Sequence, residues 1–201
     1  MSFIDRAKNI LLSPKDEWKK IDEEDTTAGA LFTGYAVILA LIPVIGTLLA
    51  VSLSIGAYRY FGFNYFLVSA LSGYVIGLGI LYLMGIIANA LAPSFDGEKS
   101  DVSAMKLVVY SATPMWIAGF FNFVPGIGFL ISLIGFGYSA YLLYLGSQAT
   151  VKVPENKAVG YTAVTIIIWI VLSVIITAII VGALVSAFLG TAALTGAAAF
   201  R

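Results

Sequence analysis

Residues able to do chemistry stand in two neighbouring stretches of this chain. Asp96, Glu98, Lys99, Asp101 and Lys106 form a charged cluster. Carboxylates grouped in this way could hold a divalent cation, which binds through oxygen ligands. A solvated loop is the preferred reading of the same residues. Just beyond lies Tyr110-Ser111-Ala112-Thr113-Pro114, where hydroxyls flank a proline. Proline removes a backbone donor and disrupts the helix around it. In an apolar helix the freed carbonyls need partners in protein or in water. Tyr110, Ser111, Thr113 and Pro114 could therefore mark a functional break, with a structural kink as the plainer reading.

The rest of the chain narrows the chemistry. There are no cysteines and no histidines, which excludes disulfides, thiol chemistry and imidazole chemistry. No Walker-type phosphate loop occurs. The acidic run Asp22-Glu23-Glu24-Asp25 reads as a solvated linker. No catalytic residue, cofactor or resident metal is expected, and no nucleic-acid partner.

The elements that position these residues follow from where charge is missing. Of 201 residues, 60% are hydrophobic and 11% charged. Soluble domains carry about 25% charged residues. Charge-free stretches run over Thr26–Tyr58, Tyr60–Phe95, Leu107–Val151 and Ala158–Phe200. A membrane-spanning helix needs about 20 apolar residues. These stretches predict spans near Leu31–Ser54, Phe66–Leu91, Met105–Phe121, Ile127–Gln148 and Val164–Leu189. The third stretch is read as a hairpin of two spans, because Pro125-Gly126 sits in its middle. The third span is the weakest, being interrupted at Ser111–Pro114. No Asp, Glu, Lys, Arg or His lies inside a predicted span, with Lys106 counted in the loop before the third. Such residues mark ion and proton pathways, so their absence disfavours a proton-coupled mechanism and intramembrane proteolysis.

Orientation follows from lysine and arginine. With the N-terminus inside, nine of the 11 basic residues and all 11 acidic ones fall on the inner side. Only Arg59 and Arg201 fall outside. The fold expected is an all-α polytopic bundle of five transmembrane helices with a short N-terminal amphipathic cytoplasmic segment. Residues 1–27 form that segment, 28–190 the bundle and 191–201 a weakly apolar external tail.

At the start, Phe3, Ile4, Ala7, Ile10 and Leu11 share one helical face, opposite Asp5, Arg6, Lys8 and Asn9. This predicts a helix lying in the membrane interface. Ser13-Pro14 reads as the cap and first residue of a second helix. That helix carries Trp18, whose ring suits the interface. Gly73 and Gly77 fit the small-xxx-small spacing of packed membrane helices, and close packing is the expectation for them.

Four stretches also resemble a known family. They are Ala7-Lys8-Asn9-Ile10-Leu11-Leu12-Ser13-Pro14-Lys15 with Trp18, and Ala92-Pro93-Ser94-Phe95-Asp96-Gly97-Glu98-Lys99. The third runs from Lys106-Leu107 through Tyr110-Ser111-Ala112-Thr113-Pro114. The fourth joins Tyr141-Leu142-Leu143-Tyr144-Leu145-Gly146 to Val153-Pro154-Glu155-Asn156-Lys157-Ala158, then Gly160-Tyr161. In order and spacing they look like prokaryotic Yip-domain proteins. The resemblance implies five spans, a cytoplasmic N-terminus and an external C-terminus. It also implies a non-enzymatic protein of a prokaryotic cell membrane, whose partners are membrane lipids, other membrane proteins or further copies of itself. Eukaryotic relatives bind Rab-type GTPases. That binding is not expected here, because only about 27 residues precede the first span, where the eukaryotic proteins have a long cytoplasmic region. The alternatives kept open are a small transporter or channel using the break at Ser111–Pro114, and a lipid-handling enzyme using the loop carboxylates.

Overall fold

The structure, a computed structural model, describes residues 2–53, 63–124 and 126–198. Arg59, Pro125 and Arg201, used in the sequence reading, lie outside the described residues. Two short helices open the chain: α1, Phe3–Leu12, and α2, Pro14–Glu23. Ser2 caps α1 by accepting from the Asp5 amide at 3.1 Å. Pro14 starts α2 as expected, but the Ser13 side chain makes no capping bond.

Five helices long and apolar enough to cross a membrane follow, at Ala28–Ser52, Phe66–Phe95, Asp101–Phe123, Ile127–Ala149 and Glu155–Ile180. These are called spans 1 to 5. All five agree with the spans predicted from the charge-free stretches. The differences lie at the ends. The helix of span 5 starts at Glu155, directly after Pro154, and continues to Ala198. The tail expected after residue 190 is thus helical as far as 198, in keeping with its alanine content. Thr27 and Ser100 cap spans 1 and 3 through their hydroxyls.

The outer surfaces of the spans are apolar. Ile134 on span 4, Val75 on span 2 and Ile179 on span 5 are all largely exposed. In water such a surface would be a liability; in a bilayer it is the ordinary lipid-facing surface. Span 3 is the most enclosed of the five. That explains how the least apolar span is tolerated: the other helices, not lipid, surround it.

Charge gathers at one end of the bundle. Lys106 Nζ donates to the carbonyls of Asp22 and Glu24 at 3.2 and 2.7 Å. Lys152 pairs with Asp22 at 2.5 Å. Lys157 pairs with Asp96, and the Glu98 amide donates to the Val151 carbonyl at 2.7 Å. The N-terminal helices, the turn between spans 2 and 3 and the turn between spans 4 and 5 therefore meet at a single end. The Asp22–Asp25 segment is not the free linker expected from its composition. Its carbonyls and the Asp22 carboxylate tie α2 to span 3 and to the turn between spans 4 and 5.

The bundle is tight at this end, and glycine makes it so. A Cβ on Gly146 of span 4 would stand 2.6 Å from Trp18 and 2.7 Å from Leu107. One on Gly85 of span 2 would stand 2.7 Å from Met105. Gly73, Gly77 and Gly79 of span 2 behave differently, since a Cβ there would meet nothing within 4 Å. The Gly73/Gly77 pair is thus not the close helix contact expected from its spacing. Spacing reports where small residues recur, not whether a neighbour fills the space they leave.

Candidate functional site

Two irregular turns face each other inside the bundle. Span 1 widens into a π-helical turn at Phe32–Ala36. Such turns often mark functional positions in α-helices. Span 3 breaks at Ala112, which ends one helix, Asp101–Ser111, and precedes the next, Thr113–Gly119. Pro114 falls in the first turn of that second helix, where its missing donor costs least. The π turn aims Tyr35 inward and the break presents Thr113. Their hydroxyls are 2.9 Å apart, both buried.

From this contact a buried network runs outward to the N-terminal helices. The Tyr35 and Tyr110 rings meet edge-on with centroids 4.8 Å apart. Trp18 of α2 meets Tyr110 edge-on at 6.3 Å. The Arg6 guanidinium lies 5.6 Å above the centre of the same Tyr110 ring, within reach for a cation–π attraction. Arg6 also pairs with Glu17 at 2.6 Å and with Glu24 at 2.5 Å. Both members of the first pair are buried, Arg6 at 6% and Glu17 at 1% relative exposure. Lys20 reaches the second oxygen of Glu17 at 3.1 Å. Ser111 lies beside this network, fully buried, with no hydrogen-bond partner for its hydroxyl.

The structure thus brings together Trp18, Lys106, Tyr110, Ser111, Thr113 and Pro114 from the sequence-derived candidates, and separates the rest. Asp101 accepts from Asn89, Asp96 is engaged by Lys157, and Glu98 and Lys99 are exposed. Among the described residues no three potential ligands gather where they could hold a metal ion. Trp18, expected at the interface, is 1% exposed and packed in the slot above Gly146. Phe3 and Ile4 do face outward, 41% and 63% exposed. Helix α1 is rotated from its expected setting: Arg6, Ala7 and Ile10 turn inward. The reason is the Glu17 carboxylate, which lies on α2 and draws Arg6 into the interior.

Arg6, Glu17, Glu24 and Tyr35 were not among the sequence-derived candidates. The Ser13-Pro14 turn does carry a signal for the first two. A helical hairpin folded there brings α1 and α2 side by side, with opposite charges at Arg6 and Glu17. Nothing comparable announces Tyr35, because a π turn leaves no residue-type signature.

The other notable feature is a cavity of about 670 Å³. Its lining residues are drawn from segments 40–47, 69–81, 112–122, 132–143 and 166–174 of the five spans in turn, Gly79 not being one of them. Its inner end is reached at Ala112, the break in span 3, close to the Tyr35–Thr113 contact. No Asp, Glu, Lys or Arg is among its lining residues.

The model of the Yip1 domain matches residues 8–177. The chain belongs to the Yip1 domain family. The Yip1-domain match covers both halves of the arrangement just described, from α1 into span 5. The chain is similar to the inner membrane protein YohC of Escherichia coli K12, 23% identical over 166 residues. That alignment covers 79% of this chain and 85% of the relative. The YohC protein of Escherichia coli O6:H1 strain CFT073 matches to the same extent. No solved structure matches. Yip1 membership and five apolar helices make this an integral membrane protein, as its composition implied.

Proposed function

We propose that this Yip1-family chain is a non-enzymatic protein of a prokaryotic inner membrane that binds lipids or partner membrane proteins and organises the bilayer around it. The charged end of the bundle faces the cytoplasm, following the distribution of lysine and arginine. The observation that carries the reading is the setting of α1. Its inner side is locked to the bundle through Arg6, while Phe3, Ile4 and Leu12 project outward, Leu12 being 71% exposed. An apolar ridge held at the end of a membrane bundle suits the boundary between headgroups and acyl chains. Burying the ridge there removes apolar surface from water at about 25 cal/mol per Å².

Spin labels at Ile4 of α1 and at Lys19, on the exposed charged side of α2, test this in reconstituted bilayers. The Ile4 label is expected to be accessible to oxygen and shielded from a water-soluble nickel chelate, and the Lys19 label the reverse. Equal access of both labels to the chelate would place α1 in water and overturn the interfacial reading.

One observation favours a second reading, transport of a small solute. The cavity reaches Ala112, the break in span 3, next in the chain to Thr113, whose hydroxyl meets that of the buried Tyr35. Flux into liposomes that Pro114→Ala or Tyr110→Phe abolishes would support transport. Tyr35→Phe would then be expected to raise the flux, since it removes a contact worth about 1 kcal/mol.

A further inference from the structure

We propose that the cavity is a binding site for an uncharged lipid, a hydrocarbon body carrying a hydroxyl or carbonyl oxygen and no charged headgroup. The volume, about 670 Å³, lies within the roughly 300–1,000 Å³ of small-molecule sites. Its depth is apolar, formed by Leu78, Ile80, Leu81 and Leu143. Gly73 and Gly77 leave bare backbone on the wall of span 2, with no protein atom within 4 Å of where a Cβ would stand. Space of this kind is filled in the membrane by what the membrane supplies, because an empty apolar void forfeits the contacts of every atom lining it.

The polar atoms of the wall decide which lipid. Thr47 and Tyr74 spend their hydroxyls on the carbonyls of Pro43 and Val37, and Ser132 donates to Asn122. Ser139 does not do likewise. It is 7% exposed, lines the cavity, and its hydroxyl has no partner. A buried hydroxyl left unpaired is costly, and a ligand oxygen or hydroxyl would satisfy it. A charged headgroup would find no counter-charge among the lining residues, and a charge in this medium needs one. The site therefore selects for an uncharged amphiphile.

This inference deepens the proposal of lipid binding and rests on it only in placing the bundle in a bilayer. The test uses the full chain in phosphatidylcholine vesicles, titrated with diacylglycerol bearing dibrominated acyl chains. Bromine quenches tryptophan on contact, and Trp116 and Trp169 both line the cavity. Saturable quenching is expected at low mole fraction, and dibrominated phosphatidylcholine is expected to give only a shallow, linear response. The double variant Gly73→Leu with Gly77→Leu should abolish the saturable part. Gly79→Leu, on the same span but outside the cavity wall, should retain it and so controls for general damage to span 2. Ser139→Ala should weaken binding by about fivefold, the loss of one hydrogen bond.

Quenching that is linear in wild type and unchanged in the double variant would overturn the site. Equal saturable quenching by dibrominated phosphatidylcholine would overturn its selectivity for uncharged lipid. Either failure would leave the membrane depth of Ile4 as it was, so it is distinguishable from failure of the interfacial reading.

Discussion

Replacing Arg6 with methionine is expected to destabilise the protein by about 3 kcal/mol, the low end of what removing one partner of a buried ion pair costs. Glu17 is 1% exposed and would lose its closest partner, 2.6 Å away. Lys20, which reaches the other carboxylate oxygen, retains part of the interaction and keeps the cost from being larger. Glu24 would lose its partner too, but it is exposed and returns to water at little cost. The consequence is local before it is global. With Arg6 gone, α1 loses its tie to α2 and its position above the Tyr110 ring. Residues 1–27 should then become sensitive to protease in detergent while spans 1 to 5 persist. The double variant Arg6→Met with Glu17→Met should recover most of the loss, because apolar side chains of similar length tolerate the same surroundings. Thermal melting of the two single variants and the double one closes the cycle. A double variant as unstable as the sum of the singles would show that the pair is not coupled.

Gly46→Ala is expected to be the most damaging single-methyl substitution in the bundle. A Cβ at Gly46 of span 1 would lie 2.3 Å from the carbonyl oxygen of Phe120 and 2.9 Å from its carbon. Both are backbone atoms of the turn at Phe120–Phe123 that ends span 3, so no side chain can swing aside. Overpacking typically costs 1–3 kcal/mol, and a backbone obstruction places this case at about 3 kcal/mol. Gly77→Ala makes the contrast. It meets nothing within 4 Å and gains helix propensity of about 0.8–1 kcal/mol, so its melting temperature should hold or rise. Equal loss in both variants would contradict the assignment of Gly46 to a tight contact and Gly77 to open space.

The contrast between these glycines also shows how far the sequence could be read. The five spans were legible because a bilayer excludes charge, and the charge-free stretches mark them almost directly. The meeting of loops at one end was legible for the same reason: Lys152 and Lys157 can join Asp22 and Asp96 only if residues 107–151 cross twice. What faces Gly73 or Gly146 was not legible, because that depends on a neighbour from a distant part of the chain. The setting of α1 was legible in part. Periodicity put Phe3, Ile4, Ala7, Ile10 and Leu11 on one face, but the carboxylate on α2 turns Arg6 inward with Ala7 and Ile10 and leaves Phe3 and Ile4 outside. Within the candidate site, the break at Ser111–Pro114 was visible in residue types. The π turn that brings Tyr35 to it was not.

Sidedness of the charged end is the most direct test. The native chain has no cysteine, so single cysteines at Arg59, Lys99 and Asn156 can be labelled without background. Lys99, in the turn between spans 2 and 3, and Asn156, in the first turn of the span 5 helix, are both exposed at the charged end. A membrane-impermeant maleimide should label Lys99→Cys and Asn156→Cys in inverted vesicles and neither in intact spheroplasts, with Arg59→Cys showing the opposite pattern. Labelling of Lys99→Cys and Asn156→Cys from opposite sides, or of both from outside the cell, would contradict a five-span bundle with its charged end in the cytoplasm.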